Sequence, residues 1–257
     1  MARGTALTRR PSRRLAEGLV THIERRRVDV SLAERQHAAY REALAAAGWR
    51  VRPVAPIEEC PDSVFIEDAV VVVDDLAILT HPGAPSRRPE VAGAEQAVRQ
   101  LGLTVVRIEA PATLDGGDVL QIGSTVYVGH GGRTNAEGIE QLRQHLAPRA
   151  RTVVPVALRG VLHLKSAVTA LPDGTVLALP DLFDVAVFAA VRVVPEEPGA
   201  HVVPLGDANV LIAASAPRTA SILDDLGFTP VVVDISEFEK LEGCVTCLSV
   251  LIPDNTG

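Results

Sequence analysis

The feature that most constrains this chain is a phrase that recurs along it: an amphipathic stretch, a glycine, and a valine-rich stretch, followed by two short apolar runs about a tight turn. Gly48, Gly102 and Gly227 each precede such a stretch, at 49–54, 103–108 and 228–233, and each follows a helix-like segment, at 34–47, 90–101 and 219–226. Glycine there suits the left-handed residue that closes a helix, so the phrase reads as helix, cap and strand. Paired apolar runs at 69–73 and 76–80, 119–122 and 125–129, and 168–171 and 175–179 flank Asp74-Asp75, Gly123-Ser124 and Pro172-Asp173-Gly174, and read as β-hairpins.

The unit of strand, hairpin, loop and helix has a period of about 45 to 54 residues, so about five copies fit the chain. Only the stretch after Leu179 lacks a clear helix. Hairpins between the helices argue against a doubly wound parallel sheet, in which strands alternate singly with helices. The expected fold class is therefore α/β, a five-bladed α/β propeller. With no linker or low-complexity stretch, 1–257 is read as one domain.

In a ring of repeats, equivalent positions face a shared axis. The polar approaches to the hairpins read Glu67-Asp68, Asp115-Gly116-Gly117-Asp118, His163-Leu164-Lys165, Gly206-Asp207 and Cys247-Leu248-Ser249. Taken singly, these are a solvated loop, a glycine turn, a core histidine and a small buried hydrophobe. Their shared repeat position is what makes them a candidate site. Loops after the hairpins carry Arg87 and Arg88, Arg133, and Arg218, and arginines suit a carboxylate clamp.

A net charge of −7 and a pI near 5.5 disfavour a phosphate-binding surface, so no nucleic acid partner is expected. An acidic balance suits a cationic small molecule instead. No apolar run has the roughly 20 residues of a membrane span and no signal peptide is seen, which gives the expectation of a cytoplasmic chain. Three cysteines, Cys60, Cys244 and Cys247, build no disulfide framework. Cys244 and Cys247 form a C-x-x-C pair, but a structural zinc needs two further ligands and a thioredoxin-like site would open a helix, so no metal is assigned. In an extended strand a spacing of three would point the two thiols to opposite faces.

Six ordered motifs then resemble the dimethylarginine dimethylaminohydrolase family of the guanidine-modifying, or pentein, superfamily. They are residues 62–68, 82–88, Thr113 to Leu120 around Asp115-Gly116-Gly117-Asp118, Arg133-Thr134-Asn135, His163-Leu164-Lys165-Ser166, and Thr246 to Leu251; residues 28–30 and 33–37 extend the likeness toward the N-terminus. The resemblance implies a ββαβ propeller, hydrolysis of N-omega-methylated arginine to citrulline through a covalent thiouronium on cysteine, and no cofactor. It further implies Cys247 as nucleophile and His163 as general acid and base. Asp115 is then the residue that orients the histidine or pairs with guanidinium nitrogens, and Asp68 the grip on the guanidinium. Asp62 and Glu67 become supporting contacts, Phe65 an aromatic wall, and Arg87 and Arg133 the ligands of the substrate carboxylate. Cys244 departs from the family pattern. Oligomeric state, monomer or homodimer, stays open.

The chemistry explains these residue types. A guanidinium is cationic and resonance-stabilised, so attack at its carbon needs a strong soft nucleophile and carboxylates that hold the ion. A thiol of ordinary pKa is only about 3% ionised at pH 7, so His163 or the bound cation must favour the thiolate. Two rivals remain: an arginine deiminase, usually longer by a helical segment, and a non-catalytic propeller resembling the ribosome anti-association factor, which would not need Cys, His and Asp at equivalent positions. Cys247→Ser is expected to abolish turnover with the fold intact, because a serine hydroxyl stays protonated without a strong base. More than a few per cent of wild-type activity, with an unchanged circular dichroism spectrum, would remove Cys247 from the chemistry.

Overall fold

Each hairpin recruits one more strand in parallel through a crossover, and a computed structural model, which describes residues 3–254, contains five such three-stranded sheets. The first holds Gly4–Arg9 (β1) and Trp49–Val54 (β2), joined by helix Val30–Ala46 (α1) and paired in parallel from Gly4↔Trp49 to Arg9↔Val54. The second holds Val70–Val73 (β3), Leu76–Leu79 (β4), helix Val91–Gln100 (α2) and Thr104–Arg107 (β5). The third holds Val119–Ile122 (β6), Thr125–His130 (β7), helix Ala136–Leu146 (α3) and Thr152–Ala157 (β8). The fourth has Val168–Ala170 (β9), Val176–Ala178 (β10) and Val191–Val193 (β11); the fifth has Val202–Gly206 (β12), Asn209–Ala213 (β13), helix Pro217–Asp225 (α4) and Thr229–Val233 (β14). The last strand, Val250–Pro253 (β15), returns antiparallel to β1 from Gly4↔Pro253 to Leu7↔Val250 and completes the first sheet.

The five-unit architecture agrees with the repeat read from the sequence. Gly48, Gly102 and Gly227 have φ of 91°, 79° and 85°, the left-handed values expected after each helix. Helix α1 starts four residues earlier than 34, because the Asp29 carboxylate accepts the Leu32 N–H at 3.0 Å and caps the helix there.

Buried apolar side chains form a separate core between each pair of neighbouring sheets, with a helix filling most gaps. Val91, Ala94 and Val98 of α2 pack with Leu7, Val250, Ala77 and Leu79, while Leu142 and Leu146 of α3 pack with Ile78 and Val126. The fourth unit has no α-helix in its crossover, only short 3₁₀ turns at Pro180–Leu182 and Val185–Val187. Phe183 and Phe188 fill the space instead, edge-to-face at 5.7 Å, and Phe188 also meets Tyr127 at 4.5 Å. That substitution explains the blurred sequence pattern after Leu179.

Four of the five polar approaches fall where expected, as 3₁₀ turns leading into the innermost strands: Ile66–Ala69, Gly116–Asp118, Leu164–Ser166 and Thr246–Leu248. The fifth is corrected. Gly206-Asp207 is the hairpin turn at the far end of β12, with φ of 102° and 50°, and Asp207 is exposed and pairs with Arg3. The true fifth approach is Glu197–Ala200, because Val202, Val203 and Leu205 already belong to the inner strand. Among the described residues no helix is long and apolar enough to cross a membrane.

The turns meet closely at the axis. A Cβ on Gly116 would overlap the carbonyl oxygen of Glu67, and one on Gly117 would lie 2.6 Å from His163 Nδ1 and 2.7 Å from Asp68 Oδ1. Both glycines therefore permit backbone approach rather than an unusual turn. Gly116→Ala is expected to lower stability by about 1–3 kcal/mol or more through overpacking. An unchanged denaturant midpoint would show that the axis has slack.

Candidate active site

The approach turns deliver Asp68, Asp115, His163 and Cys247 to one end of the axis. His163 is buried between two carboxylates, with Nε2 3.1 Å from Asp115 Oδ2 and Nδ1 3.8 Å from Asp68 Oδ1. Burial alone would lower the imidazole pKa, but the charge of Asp68 and the hydrogen bond to Asp115 outweigh it and push His163 up to about 9. The ring is thus an imidazolium at neutral pH. Asp68, although buried, is held well below the usual carboxylate range by the charges of His163 and Arg87 and by the Gly117 N–H, which donates to it at 2.8 Å.

Each carboxylate is fixed by backbone or hydroxyl donors. Asp115 Oδ1 accepts the Gly83 N–H at 2.8 Å, and the Asp115 N–H donates to Thr134 Oγ1 at 3.2 Å. Thr134 in turn donates to Asp118 Oδ2 at 2.6 Å, while Asp118 Oδ1 accepts the Leu164 N–H at 2.9 Å beside His163. Burial raises Asp118 to about 6. The sequence motif around Asp115 contained Asp118 and the Arg133 motif contained Thr134, but only the fold shows that they brace the histidine turn.

A narrow cleft at this end of the axis is lined by Asp62, Phe65, Asp68, Arg87, Arg133, His163 and Cys247, with Leu19, Leu162, Leu241, Glu242 and Gly243 completing its wall. Seven of the nine residues expected from the sequence thus line one cleft, and Asp115 sits directly behind His163. Glu67 is placed differently. It lines a second cavity, walled by the inner strands of all five sheets, and pairs there with Lys165 at 2.5 Å. Burial raises Glu67 to about 7, with Lys165 holding it down. Asp62 likewise does not present a free carboxylate, because both oxygens accept the Leu19 N–H, at 3.0 and 3.2 Å.

The two arginines differ. Arg87 is buried and committed: Nε and Nη2 reach Glu90 at 3.1 and 2.8 Å, Nη1 reaches Asp68 at 2.5 Å, and Nη2 also donates to the carbonyls of Asp62 and Phe65. Glu90 had no signal in the sequence beyond its position three residues after Arg87. Arg133 is far less tied, with Nη1 buried, without a hydrogen-bond partner among the described residues, and 3.7 Å from Asp115 Oδ2. Donor atoms of Asp68, Asp115 and His163 lie within 4.8 Å of one another, a spacing that could hold a metal ion. Arg87 and Arg133 already offset the two carboxylates, so this set fits an imidazolium better than a further dication.

Cys247 sits in the Thr246–Leu248 turn, with its sulfur 3.4 Å from the Cys244 backbone N and 3.3 Å from Cys244 Sγ. Hydrogen bonding to Cys244, burial, and the negative charges of Glu67 and Asp68 hold the Cys247 thiol up. Tyr40 of α1 anchors the turn, donating to the Val245 carbonyl and meeting Ser249 Oγ, both at 2.8 Å.

A propeller with a cysteine, an imidazolium and two carboxylates on its axis defines a class of guanidine-modifying proteins, and the comparisons agree. The arginine deiminase family model matches residues 15–210. A Streptomyces coelicolor N(G),N(G)-dimethylarginine dimethylaminohydrolase is 62% identical over 246 residues, covering 95% of each chain. The Pseudomonas aeruginosa enzyme of that name is 35% identical over 250 residues, covering 95% of this chain and 97% of its own. A solved structure of a cysteine-to-serine mutant of the Pseudomonas aeruginosa protein complexed with citrulline superposes with a TM-score of 0.89 at 34% identity, covering 98% of this chain and all of that one. The N-terminal domain of ArgZ, a cyanobacterial arginine dihydrolase, has a TM-score of 0.87 at 19% identity, covers 98% of both chains, and shares the fold. The chain belongs to the arginine deiminase family and, within it, to the dimethylarginine dimethylaminohydrolases.

The raised pKa of His163 has a definite sign. Its stabilising contribution is complete below about 6.5 and is lost as pH rises through about 9. Asp115→Asn removes one of three neighbouring carboxylates, Asp68 and Asp118 being the others, so the His163 titration followed by NMR should move down from about 9. A midpoint that does not move would mean Asp115 is not what holds the imidazolium.

Proposed function

We propose that this protein hydrolyses N-omega-methylated arginine, asymmetric dimethylarginine and monomethylarginine, to citrulline and a methylamine, with Cys247 as nucleophile. The observation that carries the reading is the imidazolium of His163 held between Asp68 and Asp115 in the cleft that Cys247 lines. The relatives of the same family name and the citrulline complex support it.

In this reading the guanidinium lies against Asp68 in the cleft, while Asp115 orients His163 from behind. The Cys244 hydrogen bond, burial and the charges of Glu67 and Asp68 hold the thiol up, and the substrate's positive charge offsets the last of these, so binding favours the Cys247 thiolate. Attack at the guanidinium carbon forms the C–S bond, and His163 protonates the departing amine. The neutral ring then takes a proton from water, which attacks the thiouronium and releases citrulline. With the substrate cation offsetting Asp68, the pKa of His163 falls toward neutrality, which suits a group that donates and accepts a proton in one cycle. No step requires a cofactor.

Arg133, whose Nη1 has no hydrogen-bond partner among the described residues, is the main ligand of the substrate carboxylate; Arg87 adds charge but chiefly positions Asp68. Phe65 walls the cleft, Asp62 holds Leu19 at its rim, and Glu67 acts from behind with Lys165. The whole of 1–257 is taken as one catalytic domain, a reading supported by the return of β15 to β1. Reduced thiols and the acidic balance suit a cytoplasmic protein with no nucleic acid partner, as a monomer or homodimer.

Citrulline formation should give a higher kcat/KM for asymmetric dimethylarginine than for arginine, with dimethylamine and ammonia identified separately. A ratio below one would assign the chain to the arginine deiminase reaction. Arg133→Ala should raise KM more than it lowers kcat, as expected of uniform binding. Arg87→Ala should instead cost about 3–5 kcal/mol of stability, since it strands Asp68 and Glu90 as buried charges. Equal effects of the two variants on KM and stability would contradict this division of labour.

A further inference from the structure

The proposed reaction needs one sulfur, yet two lie side by side. Cys244 Sγ is 3.3 Å from Cys247 Sγ, and both side chains are buried. A strand would have pointed them apart. Instead the Cys247 N–H donates to the Cys244 carbonyl at 3.1 Å, which closes a four-residue turn from 244 to 247. Such a turn keeps its terminal Cα atoms within about 7 Å. A disulfide bridges Cα separations of about 4.4–6.8 Å, so the backbone already has a compatible shape. Cys247 lines the cleft and is open to a small reagent, whereas Cys244 does not line it. The third cysteine, Cys60, contacts the Ser86 carbonyl at 3.7 Å in another part of the fold.

We infer that Cys244 is a resolving thiol: when a hydroperoxide oxidises Cys247, Cys244 captures it as an intramolecular disulfide. In the first step Cys247 passes its proton to the adjacent Cys244 sulfur, 3.3 Å away, and the resulting Cys247 thiolate attacks a peroxide oxygen. An S–O bond forms, the O–O bond breaks, and hydroxide or alkoxide leaves, so the sulfur gives two electrons to the peroxide. Cys244, having lost its proton, then attacks the sulfenic sulfur; the S–S bond forms, the S–O bond breaks, and the hydroxide leaves with that proton as water. Thr246 Oγ1, 3.3 Å from Cys244 Sγ, can donate to the attacking sulfur. Hydrogen bonding to Cys247 favours ionisation of Cys244, the form in which it attacks a sulfenic sulfur. A dithiol reductant restores both cysteines by exchange, and the capture keeps Cys247 from irreversible sulfinic oxidation.

The test treats the full chain with hydrogen peroxide, alkylates the remaining thiols, and maps peptides by mass spectrometry. The wild type should lose two hydrogens, keep one of its three alkylatable thiols, at Cys60, and regain its starting activity with dithiothreitol. Cys244→Ser and Cys244→Ala should gain oxygen at Cys247 and recover several-fold less of their own starting activity. A wild-type peptide with oxygen on Cys247 and an alkylatable Cys244, or a pair left unmodified under conditions that oxidise free cysteine, overturns the inference; neither readout depends on how well the variants fold. The link to activity rests on Cys247 as nucleophile. If that reading is wrong, the disulfide forms while turnover is unchanged, so the two failures are distinct.

Discussion

A buried imidazolium needs compensating charge, and the site is organised around meeting that need for His163. Asp68 and Asp115 flank the ring on its two nitrogens, and each is fixed by a glycine N–H from a neighbouring turn. A buried charge left unpaired would cost several kcal/mol, so the turns that carry these residues must converge closely. The absence of a side chain at Gly116 and Gly117 follows from that constraint. The five-unit ring supplies the convergence, since every inner strand is reached through a turn at the same end.

The same pairing separates groups that maintain the site from groups left free to meet a ligand. Arg87 and Glu90 form a closed network under Asp68, and Asp118 with Thr134 braces the turn that carries His163. Arg133 and Cys247 differ, one with a buried donor unpartnered among the described residues, the other with a thiol held up by its hydrogen bond to Cys244, by burial and by nearby negative charge. Both conditions are eased by a ligand with a carboxylate at one end and a cation at the other. An amino acid bearing a guanidinium meets both.

The two cavities also divide the polar residues. Lys165 and Glu67 pair with each other at the second cavity and do not line the cleft that holds Cys247. Cys244 adds a second thiol beside Cys247 without lining the cleft. Its neighbourhood is set by a backbone turn rather than by a metal or an ion pair, which is why it bears on oxidation and not on substrate binding.

By itself the sequence determined the number and order of units, because hydrophobic period, hairpin turns and capping glycines are local properties that each segment carries with it. Cys247, His163, Asp115 and Asp68 were legible for the same reason, lying at equivalent points of a repeat. The tertiary structure alone decided which way the remaining charges face. Arg87 and Arg133 occupy matching loops in the sequence, yet one is enclosed by Glu90 and the other opens into the cleft. Glu67 adjoins Asp68 in sequence but meets Lys165 from another unit, and Gly206-Asp207 proved to be a hairpin turn. The two thiols, apart in any extended strand, meet because a backbone hydrogen bond curls the chain before β15. These outcomes depend on partners distant in sequence or on a bend that no local pattern encodes, and burial makes such pairings decisive.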